Sequence, residues 1–237
     1  MKILAYVCFL IIIITGVGAG GISCEEGCTP DPTYNPSINP GDFVAGVDNP
    51  LFPLVPGMKY VYHGGGETTE VTVTDGTKQI LGVTSIVVRD VVSVGGEIIE
   101  DTYDWYAQDK EGNVWYFGED TKEYKDGQLV GTEGSWEAGV DGAKPGIIMH
   151  GTQPATGVPY RQEYYACKAE DMAEIVSLNE SVTVPYGSFD NCLQTREFTP
   201  LEPGVSEYKY YAPGVGLVLE AGVQSGARTE LIEVTTP

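Results

Sequence analysis

The sequence predicts an all-β fold: an antiparallel meander of roughly ten strands, drawn into a curled sheet or open barrel. Three observations predict it. From residue 58 onward, short Val-, Thr- and Tyr-rich segments alternate with Asp-Gly and Gly-Gly pairs, which supply the positive φ that tight hairpins need. The 31 Gly and 15 Pro exceed what helices tolerate. No segment sustains an apolar period of 3.6 residues.

Residues 1–23 read as an export signal: Met-Lys, an apolar run from Ile3 to Val17, then the small residues Gly18 to Gly21. The mature protein is therefore expected outside the cytoplasm, secreted or attached to the outer face of the membrane. As a spanning helix the apolar run is short of the ~20 residues required. Gly21-Ile22-Ser23-Cys24 resembles a bacterial lipid-attachment box, with Gly21 where Leu usually stands, and makes Cys24 a candidate lipid anchor.

Residues 24–57 carry seven prolines among Asn, Asp and Gly and predict an extended tether. The apolar stretch Asn49–Gly57 at its end is suited to lying on the domain. A single β domain then spans 58–237. Its predicted strands begin with Met58–Tyr62 and Thr68–Thr74, the latter closed by a turn at Asp75-Gly76, with Gly82 as a bend or bulge. Val83–Val94, Glu97–Gln108, Val114–Phe117, a strand to Tyr124 and Gln128–Thr132 follow, joined at Gly95-Gly96, Asp109–Asn113 and Asp126-Gly127. Residues 133–159 read as long loops. Tyr160–Ala166, Ile175–Tyr186, Cys192–Phe198, Glu207–Tyr211, Leu217–Glu220 and Thr229–Val234 complete the sheet.

Against 13 basic residues stand 34 acidic ones, a formal charge of −21, and loss of the leader removes Lys2 as well. Such a surface repels nucleic acid and anionic membrane, since phosphate binding needs clustered Lys and Arg. Membrane contact is expected only through an N-terminal lipid or anchor. The mature cysteines are Cys24, Cys28, Cys167 and Cys192, an even number in an oxidising compartment. Three pairings are possible. The expected one is local, Cys24–Cys28 with Cys167–Cys192, with lipidation as the competing use of Cys24.

Motifs for catalysis are sparse. His63 and His150 lie in no zinc-ligand spacing, and neither a nucleophile elbow nor a phosphate-binding loop is present. A hydrolase would rest on paired carboxylates such as Glu137, Asp141 and Glu163; the plainer reading is a solvated acidic rim. Asp109, Glu111 and Asn113 gather oxygens suited to calcium, without full EF-hand spacing, and equally suit a hairpin turn. Trp105, Trp115, Trp136, Tyr164 and Tyr165, with Glu163, form the main candidate set. They make either a core with cross-strand aromatic packing or a platform on which a small or saccharide-like ligand stacks. Asn179-Glu-Ser181 matches the glycosylation acceptor pattern.

Val182-Thr-Val-Pro185-Tyr-Gly187-Ser-Phe189-Asp-Asn-Cys192 and Tyr210-Tyr-Ala-Pro-Gly-Val-Gly-Leu-Val218 resemble a strand–turn–strand and closing hairpin found in uncharacterised exported proteins and lipoproteins of prokaryotes. The likeness covers about residues 175–220, and Asp104–Gly118 is of the same type. It implies a curled antiparallel sheet outside the cytoplasm and carries no catalytic residue. The reading that results is an exported, non-catalytic binding or accessory protein with an aromatic, acid-rimmed surface. A surface protein self-assembling through its N-terminal segment is the first alternative, and a carboxylate-dependent hydrolase the second.

Overall fold

The computed structural model describes residues 31–152 and 155–237. These residues form fifteen strands and a single 3-10 turn at Pro40–Asp42. The strands are β1 (Lys59–Gly64), β2 (Glu67–Ile80), β3 (Val83–Val94), β4 (Glu97–Gln108), β5 (Val114–Lys125), β6 (Gln128–Gly131), β7 (Trp136–Glu137) and β8 (Lys144–Met149). After them come β9 (Tyr160–Arg161), β10 (Glu163–Tyr164), β11 (Met172–Val184), β12 (Gly187–Phe198), β13 (Ser206–Ala212), β14 (Gly216–Gly222) and β15 (Arg228–Thr235). Every pairing is antiparallel. The fold class is the predicted one; the additional strands come from two-residue pieces and from β8, inside the segment expected to be loops.

One sheet runs β10-β8-β5-β4-β3-β2-β1-β15-β14-β13-β12-β11-β9, with β6 and β7 also pairing β5. Hydrogen bonding leaves it open. Its two edge strands, β9 and β10, are nevertheless separated in sequence by Gln162 alone, so the chain itself joins the two edges. The Gln162 N–H donates to the Asp171 carbonyl at 2.9 Å and fixes this seam to the start of β11. Across it, Gly146 of β8 lies so close to the Arg161 and Gln162 carbonyls that a Cβ would overlap them. The sheet is thus curled around a core that includes Tyr60, Tyr62, Val73, Val88, Tyr106, Tyr116, Phe117, Ile148, Val218 and Leu231, all buried.

Two turn assignments exchange places. Asp75-Gly76 lies inside β2, where the register against β3 shifts between Val73 and Thr77. The Thr74 hydroxyl donates to the Val87 carbonyl at 2.7 Å and accepts from the Gly76 N–H at 3.0 Å, which holds the irregularity in place. The hairpin turn is at Leu81-Gly82 instead, with φ of 51° and 81°. Thr77–Ile80 pair directly with Val83–Ile86, so the strand continues past the Asp-Gly pair.

The described part of the expected tether, 31–57, is packed on the domain. Val47, Leu51 and Leu54 are buried in the core. Buried Asn49 accepts from the Leu51 N–H and donates to the Gly112 and His150 carbonyls. The Gly214 N–H donates to the Pro50 carbonyl at 2.7 Å. Prolines here remove donors from a segment that crosses the sheet's end rather than extends it, so an extended chain and a packed chain share this composition. The expected Cys167–Cys192 bond does not form. Cys192 is a free thiol, fully buried in β12, whereas Cys167 is disulfide-bonded elsewhere. The candidate lipid anchor Cys24 and the pairing Cys24–Cys28 fall outside the described residues.

Candidate functional site: an interior cavity with a charged floor

Curling the sheet leaves a cavity of about 60 Å³ in its interior. Its walls are Tyr60 and Tyr62 from β1, Val71 from β2, Val88 from β3, Tyr106 from β4 and Tyr211 from β13. These positions alternate along their strands, as one face of a pleated sheet requires. Phe52–Leu54 and Val215–Leu217 frame it at the end of the sheet. Phe52 packs edge-on against Tyr106 with ring centroids 5.3 Å apart, and the Tyr62 hydroxyl donates to the Leu217 carbonyl at 3.0 Å. The N-terminal segment therefore builds part of the site.

The floor is polar. Asp104 and Lys209 line the cavity, and Lys209 also borders a second, smaller void with Tyr116, Gln162, Glu163, Asp171, Glu197 and Glu207. Lys209 is 4% exposed, and its Nζ lies 3.1 Å from Glu197, 3.3 Å from Glu207 and 3.4 Å from Glu220. The Glu220 approach is a charge contact without hydrogen-bond geometry. Glu197 Oε1 also accepts from the Thr195 and Tyr211 hydroxyls at 2.9 and 3.1 Å. The Tyr116 hydroxyl donates to Asp104 at 2.7 Å, and the Thr121 hydroxyl to Glu119 at 2.9 Å.

Acids outnumber the cation in this layer, and burial decides their charge. Desolvation lifts Asp104 to about 7 despite the Tyr116 hydrogen bond that favours its carboxylate. Glu163 rises to about 7 for the same reason, and Glu220 to about 8, with Lys209 opposing. Glu119 and Asp171 are likewise pushed well up, through burial first and neighbouring carboxylates second. For Lys209, burial works against the charged form, but Glu197, Glu207 and Glu220 outweigh it and keep the ammonium protonated. Near neutral pH the floor therefore combines protonated acids, Glu220 foremost, with carboxylates held by one cation, and can both donate and accept hydrogen bonds.

Of the residues the sequence singled out, Glu163 alone lines this interior. Trp105 and Trp136 are core residues, 6% and 4% exposed. Trp105 lies under the Lys78 ammonium, 3.2 Å from the ring centroid, and Trp136 packs edge-on to Tyr116 at 5.3 Å. Trp115 is half-buried and its indole N–H donates to Asp109 at 2.8 Å. Tyr164 is buried, with its hydroxyl accepting the Asp31 N–H at 2.6 Å; half-buried Tyr165 contacts Lys168. These rings are not gathered into one solvent-facing platform: they are spread over β4, β5, β7, β10 and the residue after it, and Trp105, Trp136 and Tyr164 are buried. The cross-strand aromatic pair is Tyr106 on Tyr116, stacked at 4.9 Å, while Trp115 sits opposite Ala107.

At the β4–β5 turn both Asp109 oxygens are engaged. One accepts the Glu111 and Asn113 N–H groups, the other the Asn113 amide and the Trp115 indole. Asp109, Glu111 and Gly112 border a surface groove of about 530 Å³ with Val44–Asp48 and Leu54–Pro56. Among the described residues no group of three or more His, Cys, Asp or Glu is arranged to hold a metal ion. Glu137 is tied to Lys78 at 2.7 Å. His63 is exposed, and His150 packs edge-on to Tyr160 at 4.4 Å, away from the cavity lining. Asn179 is exposed on β11.

No family model matches the chain, and no curated protein matches it. A solved structure similar to it is that of "a putative lipoprotein" from Parabacteroides distasonis ATCC 8503, at 16% identity, covering 78% of this chain and 98% of that one, with a TM-score of 0.36. A likeness of that size decides neither fold nor function.

Proposed function

We propose that this is an exported binding protein that takes a small ligand into the interior of the curled sheet without transforming it. The observation that carries the reading is the contrast within one cavity: apolar and aromatic walls, and a polar floor at Asp104 and Lys209. Such a contrast is the usual make-up of a small-molecule site, where walls supply affinity and a few polar groups fix orientation. The volume suits a narrow ligand, since 60 Å³ is room for about four waters. The surplus of acids favours an end that donates hydrogen bonds, neutral or cationic, over a carboxylate. The leader at 1–23 and the disulfide at Cys167 support an extracytoplasmic setting.

The test uses a two-carbon series, ethylamine, ethanol and acetate, sized to the cavity and titrated calorimetrically into the protein. Saturable binding of the amine and alcohol, weaker binding of the acid, and loss of all three in Val215→Trp at the rim are expected. Absence of saturable binding, or binding indifferent to Val215→Trp, defeats the reading.

A further inference from the structure

We propose that the interior cavity binds a small primary ammonium ion in exchange for a proton, and that Asp104 is the carboxyl that gives the proton up. The inference rests on the binding reading above. It adds the charge of the ligand and the control of its uptake by pH.

Five aromatic residues border the cavity, Phe52, Tyr60, Tyr62, Tyr106 and Tyr211, and Asp104 is its one acid. Aromatic rings attract a cation through their quadrupoles, most strongly where water is excluded, and a single carboxylate supplies the counter-charge. Lys209 also lines the cavity. Its Nζ is met by Glu197, Glu207 and Glu220 at 3.1, 3.3 and 3.4 Å, so its charge is already balanced by carboxylates of its own. The Tyr116 hydroxyl donates to Asp104 Oδ1 at 2.7 Å. A carboxylate has two accepting oxygens, which leaves Oδ2 for the ligand.

Asp104 is 1% exposed. A cation placed beside a carboxyl that kept its proton would bring an uncompensated charge into this interior, which burial penalises heavily. Loss of the proton removes that cost. One positive charge enters, one leaves, and the interior keeps the charge it had. The RNH3+ ion then lies beside the Asp104 carboxylate, and the carboxyl proton passes to the buffer.

The groups around Asp104 fit it for this exchange. Glu100 and Tyr106 share its strand, Tyr116 and Glu119 face it from β5, and Glu163 faces it from β10. Lys209 and Tyr211 come from β13, and Tyr60 and Tyr62 from β1. β3 sets Val88 opposite it, with buried Asp90 one pleat further on. Burial raises Asp104 to about 7, the Tyr116 hydrogen bond opposes the rise, and Glu100 adds to it. Glu119, its direct cross-strand partner, is pushed well up by burial and keeps its proton. Glu163 lines the smaller void rather than the cavity. Asp104 is thus the acid that both holds a proton below neutrality and meets a ligand in the cavity.

The test titrates ethylammonium and ethanol calorimetrically into the protein between pH 5.5 and 6.5, in phosphate and in ACES, two buffers of unlike ionisation enthalpy. The difference in heat between the buffers counts the protons released. Ethylammonium should release close to one proton per molecule bound, and its affinity should rise about tenfold over that unit of pH. Ethanol should release none and hold its affinity. Asp104→Asn keeps an acceptor for Tyr116; it should abolish the release and the pH slope and weaken ethylammonium more than ethanol. If that variant fails to fold, the two-buffer comparison on the wild type decides. Ethylammonium binding without proton release, or release that persists in Asp104→Asn, overturns the inference. Saturable ethanol binding beside either result leaves the binding reading standing, whereas absence of binding by both ligands removes the two together.

Discussion

Lys209 is the residue on which the interior depends most. A buried ammonium is tolerated because three carboxylates converge on it, and removing one partner from such a group leaves the others buried without compensation. Lys209→Met should therefore cost about 3–5 kcal/mol in urea denaturation at pH 8, and less at pH 5.5, where Glu220, lifted to about 8, holds its proton. Glu220 makes the opposite case. With its carboxyl lifted to about 8, it is mostly neutral at pH 7, and Gln copies the neutral form. Glu220→Gln should match the wild type in stability near pH 4.5 and gain on it progressively as pH rises toward 8, because over that range only the wild type must take up a proton on folding; a large loss at pH 7 would show that the wild-type group is ionised and paired there. The tryptophans give a third check. Trp105 and Trp136 are core and Trp115 is half-buried, so iodide should quench a minor part of the emission, and Trp115→Phe should remove that part.

At the level of elements, the seam at Gln162 decides whether the sheet stays curled. β9 and β10 contribute two residues each, too few to hold an edge alone, and the close approach of Gly146 to the Arg161 and Gln162 carbonyls brings β8 to the seam. Gly146→Ala should force these apart. Amide exchange should accelerate at Gln162 and Glu163 and the denaturation midpoint should fall, with β2–β4 protection unchanged. Unaltered exchange at the seam would contradict this role. The same elements show what the sequence discloses. The hairpins at Gly95-Gly96 and Asp126-Gly127, and the long strands around them, were legible because turn chemistry and β-branched runs agree. Asp75-Gly76 misled because an irregularity inside a strand and a hairpin turn draw on the same residues, and only cross-strand partners tell them apart. The site was hidden for a related reason. In β13, Glu207, Lys209 and Tyr211 alternate with Tyr208 and Tyr210, and apolar logic turns the two tyrosines inward. The structure turns the charged set inward, and the satisfying partners, Glu197 and Glu220, come from neighbouring strands that sequence spacing does not relate.

Across the whole molecule, the buried acids reverse the usual effect of acid on stability. A carboxyl whose pKa is higher folded than unfolded binds its proton more tightly in the native state. Its stabilising contribution is complete below the unfolded value near 4 and is lost as pH rises through the folded value. For Asp104, Glu163 and Glu220 that window ends near 7 to 8, and repulsion across a chain of formal charge −21 grows in the same direction. The thermal midpoint should accordingly fall as pH is raised from 5.5 to 8.5; a rise over that range would mean that these acids are ionised and well paired in the native state. Packing of 31–57 against the sheet makes the N-terminal segment part of the same cooperative unit, since Leu51, Leu54 and Phe52 meet the cavity or its surrounding core.

The central claim is that the interior of the curled sheet receives the ligand, and mapping where ethylamine lands on the protein tests it most directly. In amide and side-chain NMR spectra, saturable shifts should centre on Tyr62, Tyr106, Lys209, Tyr211 and Leu217 and leave the β4–β5 turn unmoved. Shifts centred on Val44–Asp48 and Asp109–Gly112, or spread over the outer face with no saturation, would contradict it.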